Sequence, residues 1–567
     1  MVASISIVTM IIATSVDIYF GLLFLLAGFF AVNKEFAILN IRIGSVPIYL
    51  PEVFLTVALI KFFIAYVRKA HRPHLPTTFV VSWMLYVLVG LISLITGLRQ
   101  YPVLDVIRDS ALFYYSLVMI PVIVMDLSSK RILNLLQTLL GVGVVKAILI
   151  VIQPYLTAHY NFPELQGQPA GNTMYLAITL LFQFVFLSTC GYSWLMSIAS
   201  GFSVAGLLFY AVRSSWSGFA VAYLVILGLL YVYCRQSLLK SYKQQIFGLV
   251  LGFLIAWVFP YLFNGYIGTS TRLVGRVQSV FSTAGSDSRY TRILLWKDAL
   301  SEVFSVGMFS ENVKPSDLAK YKLPKMLIVN KERNTVTIPV VYSSYGDGKV
   351  NLKNASPEIK DLAVAKAPLV EPINPSSEPK ALIIPVVARG HTGESIRIQL
   401  DSSGTNKNNI FDVVERYKKI IFGLPFGKMF YPPEVAYWLH DTNRYDPHNS
   451  FVAILYRLGL LGLCSFLLIV YSFFRQSIRL LCQQSHSNFN RLFLIGVFGS
   501  VIYHLVHSLT DVVFENAFKG LILWVFIAIV FNNFWKETSG NEEMLQKSLP
   551  DPPNSVPPKI ELLRTHP

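Results

Sequence analysis

His448-Asn449, a run of nine residues, and then Gly459-Leu460-Leu461-Gly462 form the pattern with the clearest chemical content in this chain. An imidazole titrates near neutral pH and can take a proton from a hydroxyl. His448 stands where a long polar stretch gives way to an apolar one, a place where a hydroxyl can be presented at the lipid–water boundary. Gly459 and Gly462 are about one helical turn apart, which permits close helix packing that would fix the helix carrying His448. The same residues also fit a plainer alternative, a capping histidine on an ordinary helix with a packing motif.

Two arginine sites come next. Arg213-Ser214-Ser215 occupies a very short turn between apolar segments, and Ser286-Asp287-Ser288-Arg289 precedes Trp296. Arg289, Ile293, Trp296 and Leu300 recur at helical spacing and are expected to share one face. Arg272, Arg276 and Arg292 are their neighbours. Each arginine also fits a snorkelling or solvated basic residue. His440, Asp441, Arg444 and Asp446 lie just before His448, either shaping an acceptor site or forming a polar loop. His504, His507 and Asp511 share a face by spacing, which suits a metal but is expected to be a packed polar cluster. There is no HExxH motif, glycine-rich phosphate loop or Asp-x-Asp pair.

The elements that must hold these residues are membrane helices. Of 567 residues, 54% are hydrophobic and only 14% charged, against about 25% charged in soluble domains. The fold class expected is an all-α polytopic membrane protein. Segments of roughly 20 apolar residues give about twelve spans, near Ile5–Val32, Ile48–Val67, Thr77–Thr96, Val106–Met125, Ile132–Ile152, Thr173–Cys190, Trp194–Val212, Trp216–Cys234, Ile246–Phe263, Phe451–Phe474, Leu492–Val512 and Gly520–Trp535. The first is too long, and lacks the basic start and cleavage site, for a signal peptide. With a cytoplasmic N-terminus, inside loops hold eleven basic residues and the short outside loops six, which favours both termini inside. Residues 264–447 then form one large external loop, and residues 537–567 a flexible, proline-rich cytoplasmic tail.

Within that loop, residues 311–410 hold 9 of the 29 prolines and 14 Lys/Arg against 10 Asp/Glu. Their β-like runs at Ile338–Val341, Ile384–Val387 and Ser395–Leu400 read as a small β module or a poorly ordered insertion. The four cysteines lie in or beside apolar segments without a CxxC pair, so neither a disulfide framework nor a thiolate metal site is expected. The net charge of +16 is mostly loop charge, and nucleic acid is not an expected partner.

The spacing His, Asn, nine residues, Gly, two residues, Gly, placed directly after a large loop and before the last spans, resembles the signature of the O-antigen ligase and O-antigen polymerase family of membrane glycan transferases. Arg213-Ser214-Ser215 is similar to that family's Ser-Arg segment, with the serine following rather than preceding. Arg289 with Trp296 resembles its loop helix. Ile421-Phe422-Gly423-Leu424-Pro425-Phe426-Gly427 fits its apolar-Gly-x-x-x-Gly segment, displaced by the 311–410 insertion. Gly167 to Asn172 is a weaker match, with Gln166 and Gln168 where relatives carry a basic residue.

The resemblance implies a GT-C-like architecture in a bacterial inner membrane, with the site facing the periplasm. It implies an undecaprenyl-pyrophosphate-linked glycan as donor, and lipid A-core or a second lipid-linked glycan as acceptor. His448 would act as base, with Arg213 and Arg289 on the pyrophosphate. Arg272, Arg276, Arg292, Trp296, Asn449, His440, Arg444, His504 and His507 would bind substrate. No metal and no other cofactor is expected. A polymerase, a protein O-glycan transferase and a polysaccharide transporter remain alternatives. The transporter predicts paired charges or broken helices in mid-membrane, for which Asp17, Lys61, Lys146 and Arg457 are the available charges, with Asp17 and Lys146 as a possible pair.

Overall fold

In a computed structural model, the described residues are 2–262 apart from short breaks, scattered positions between 295 and 399, and 417–535 apart from 429–448 and a few single positions. They are mostly helical. The helices are α1 (Val2–Val16), α2 (Ile18–Val32), α3 (Lys34–Ala37), α4 (Leu50–Val67), α5 (Thr77–Gln100), α6 (Val103–Tyr114), α7 (Met119–Val124), α8 (Ser129–Tyr160), α9 (Pro169–Phe186), α10 (Ser193–Phe209), α11 (Arg213–Tyr233), α12 (Arg235–Leu262), α13 (Ser450–Cys482), α14 (Asn488–Ser508) and α15 (Ala517–Val530).

Among the described residues, six helical stretches are long and apolar enough to cross a membrane: Thr77–Gln100, Val103–Val124, Ser129–Gln153, Ser214–Tyr233, Ser450–Cys482 and Asn488–Ser508. Each coincides with an expected span. Val2–Val16, Ile18–Val32, Asn172–Phe186, Trp194–Phe209 and Phe518–Val530 are apolar but shorter. Two of the short ones are central rather than peripheral. Every residue from Leu521 to Val530 on α15 is buried, and so is every residue from Asn172 to Leu187 on and just beyond α9. A helix apolar on all sides belongs inside a bundle. Around α15, Tyr86, Phe466, Phe514 and Trp524 interlock α5 and α13, with ring centroids 4.9–6.3 Å apart. Outward faces such as Val81, Met84 and Leu88 on α5 stay exposed and apolar, as lipid requires.

The first apolar stretch is not the single span expected. Asp17 has extended backbone and its carboxylate accepts from the Tyr19 N–H, which starts α2 afresh. α1 packs on α2 and also touches the strand that follows the far end of α2, so it doubles back alongside. The break is closed by charge: Lys61 Nζ donates to the Ser15 and Val16 carbonyls at 2.9 and 2.7 Å, and Arg131 pairs with Asp17 at 2.7 Å. α1 therefore begins toward the end of α2 that carries Asn33.

Short strands appear in two places. Asn40–Ile43 (β1) and Val46–Tyr49 (β2) form an antiparallel hairpin between α3 and α4. In the insertion, Ile328–Val329 (β3) pairs with Leu382–Ile383 (β5), and Thr335–Val336 (β4) with Ile398–Gln399 (β6). These lie close to the β-like runs of the sequence, although the paired strands are only two residues long.

Candidate functional site

The first turn of α13 is set by Asn449, whose Oδ1 accepts from the Phe451 and Val452 N–H groups at 2.9 and 3.1 Å. Asn449 Nδ2 donates to the Leu509 carbonyl, and the Ser450 hydroxyl donates to the Asp511 carbonyl at 3.2 Å. Ser450 Oγ also accepts from Val513 N–H at 2.8 Å. The turn after α14 therefore grips the head of α13 by three points. Asn449 uses both its side-chain oxygen and nitrogen in this grip. His448 itself lies outside the described residues.

Asp511 ties the same turn to two more helices. Its Oδ2 accepts from Lys519 Nζ on α15 at 2.6 Å and faces His507 Nε2 on α14 at 3.1 Å. Burial would raise the Asp511 carboxyl, but Lys519 and His507 outweigh it and hold it well below the carboxylate range. His507 stacks on Tyr503, with ring centroids 5.5 Å apart, and Gly218 on α11 leaves room for that tyrosine ring. His504 turns to its own helix, with Nδ1 2.7 Å from the Ser500 carbonyl. Both histidines are fully buried. The packed-cluster reading of His504, His507 and Asp511 is the one the geometry matches, with His504 standing apart.

A second polar chain lies at the heads of α11 and α9. Ser215 and Thr173 hydroxyls are 2.7 Å apart. Asn172, the preceding residue, accepts a hydrogen bond from Asn33 Nδ2, and Asn33 Oδ1 accepts from Lys146 Nζ at 2.6 Å. Asp17 and Lys146, the pair available to the transporter alternative, are instead attached separately at opposite ends of α2. Arg213 opens α11 two residues before Ser215; helix N-termini carry partial positive charge, which favours anions nearby.

Beside this cluster, Gly459 breaks α13. Its φ of +65° interrupts the helical backbone within Ser450–Cys482. A Cβ there would lie 2.3 Å from the Ile421 carbonyl oxygen, and one on Gly462 would lie 2.2 Å from Leu458 Cβ. The two glycines serve a kink and the segment seated in it, not the helix–helix packing expected. That segment, residues 421–428, is held by Leu424 N–H to the Tyr456 carbonyl at 2.8 Å and by Gly427 N–H to Asp109 Oδ2 at 2.8 Å. Arg457 pairs with Asp109 at 2.8 Å and donates to the Lys428 carbonyl at 2.7 Å.

The described part of the loop helix packs on the same place. Leu295, Ala299 and Val303 are its buried face, clustered with Leu424 and Tyr456, while Trp296 is half-buried at its edge. Trp296 and Leu300, which the spacing puts on one face, are both half-buried beside it. Trp296 Nε1 is buried with no hydrogen-bond partner among the described residues. Arg289, Arg272, Arg276, Arg292, His440 and Arg444 lie outside the described residues, as does the side chain of Arg213. Lys146, Asp109, Lys519 and Ser450 are site members that the sequence did not single out for binding. An ionisable group inside an apolar segment was the available signal for the first of them. Cys234, Cys464 and Cys482 are free thiols. Set against known protein families, curated proteins and solved structures, the chain matches none.

Proposed function

We propose that the protein is a membrane glycosyltransferase that moves a glycan from an undecaprenyl-pyrophosphate donor to an acceptor hydroxyl, in the manner of an O-antigen ligase. His448 takes the hydroxyl proton as the acceptor oxygen attacks the anomeric carbon. The bond from that carbon to the pyrophosphate oxygen breaks, and the lipid pyrophosphate leaves with the electron pair and its charge held by Arg213 and Arg289. The sugar is inverted. One observation carries the reading: next to His448, Asn449 and Ser450 lock the head of α13 onto the turn after α14, and Asp511 in that turn is itself held by Lys519 and His507.

The test is transfer by the purified protein, with lipid A-core or a second lipid-linked repeat as acceptor and EDTA present. His448→Ala is expected to abolish transfer with membrane insertion intact; full activity in that variant sinks the assignment. Extension of the lipid-linked repeat alone makes the protein a polymerase.

A second reading, a polysaccharide transporter, draws on the buried Asp109–Arg457 pair beside the broken α13. Movement of lipid-linked glycan across proteoliposomes without a new glycosidic bond decides for it.

A further inference from the structure

Lys146 is a buried cation in an apolar segment that the proposed reaction leaves unused. It lies in α8, within the membrane-spanning stretch Ser129–Gln153, and is 7% exposed. Its ammonium has three N–H donors. One reaches Asn33 Oδ1 at 2.6 Å, and the ring of Tyr175 lies 5.2 Å from Nζ. Among the described residues no carboxylate forms an ion pair with it; Glu35 acts on it only through its field. The other buried cations have acids or carbonyls around them: Lys519 has Asp511, and Arg457 has Asp109 and two carbonyls. A lone buried ammonium is costly, and such groups in membrane segments mark binding or transport sites.

Its surroundings favour an anion. Asn33 ends α2, so Lys146 lies at the end of the bundle that carries the polar chain. Asn172 and Thr173 at the head of α9 connect it, through Asn33 on one side and Ser215 on the other, to the head of α11. The heads of α9 and α11 are thus joined through hydrogen bonds to an ammonium with no ion-pair partner among the described residues, where a phosphate oxygen would supply the missing charge.

We propose that Lys146 binds the phosphate of a membrane-borne phosphate ester. This rests on the transferase reading for the identity of the ester, but not for the anion site itself.

The test is binding of undecaprenyl pyrophosphate, undecaprenyl phosphate and phosphatidylglycerol to the full chain in nanodiscs. Lys146→Met removes the charge with similar length and suits a buried site. Asn33→Asp keeps Lys146 and hands it a carboxylate instead. Both are expected to weaken pyrophosphate-lipid binding about tenfold or more, with Lys146→Arg near wild type. If Lys146→Met does not fold, Asn33→Asp alone decides, because a merely structural Lys146 would be better held by it and lipid binding would not change. Wild-type binding by both neutralised forms overturns the inference while leaving the transferase reading standing. Lys146-dependent binding of phosphatidylglycerol as tight as that of the pyrophosphate lipid keeps the anion site and removes the support for a glycan-lipid donor. A wild-type chain that binds none of the three lipids overturns the inference.

Discussion

Gly423 and Gly459 stand back to back, each with positive φ, so that a Cβ on Gly423 would come 2.5 Å from the Gly459 nitrogen. The contact is backbone against backbone, and no side chain can yield to make room. Gly459→Ala is expected to cost about 1–3 kcal/mol from its φ alone, with further loss from the Ile421 overlap. The measurement is the melting temperature in detergent. Gly228→Ala, where a Cβ meets nothing within 4 Å, serves as the neutral comparison.

The Asp109–Arg457 pair, with both side chains about nine-tenths buried, holds α6 to the segment seated in the kink. Removing one partner of such a pair costs about 3–5 kcal/mol, because the other charge is stranded. Asp109→Leu or Arg457→Met alone should therefore destabilise strongly, and the double variant less than the two losses combined. A double-mutant cycle on chemical unfolding gives the coupling; strict additivity would contradict the arrangement.

Asp511 sets a pH dependence. Its folded-state pKa lies below its unfolded value, near 4, so its stabilisation is fully present above about pH 4 and is lost as pH falls towards the folded value. Asp511→Asn should lower the melting temperature at pH 7 and flatten its decline below pH 4. An unchanged acid limb in the variant contradicts this.

At the start of α2, Asp17 is both cap and ion-pair partner. Asn can cap where Ala cannot, so Asp17→Asn should lose only the Arg131 pair, while Asp17→Ala should cost about 1 kcal/mol more. Equal melting temperatures for the two would show that the cap contributes nothing.

Much of the helical layout was legible in apolar runs, because lipid demands about twenty apolar residues wherever a helix is exposed to it. Helices shielded by others escape that demand, which is why α15 and α9 are short although their sequences read as spans. The Asp17 break carried a readable signal, a capping residue inside an apolar run. So did β1–β2, where Asn40 to Tyr49 flank Gly44-Ser45, a hairpin-like pair. Gly459 did not: a glycine that lets helices touch and one that reverses the backbone look alike in sequence. Nor did the partners of Asp511 and Arg457, since charge pairing across the chain depends on tertiary placement. For the candidate site, the order of motifs led to the head of α13, but it did not show that Asn449, His504 and His507 are buried and hydrogen-bonded there.

The doubled-back α1 has a consequence for the surrounding lipid. Fifteen helical residues rise about 22 Å, well short of a hydrocarbon layer of about 30 Å. Val2, Ile5, Val8, Ile12 and Val16 face outward along it. Beside a hydrocarbon layer of that thickness, so short an apolar surface is expected to thin the bilayer along that flank.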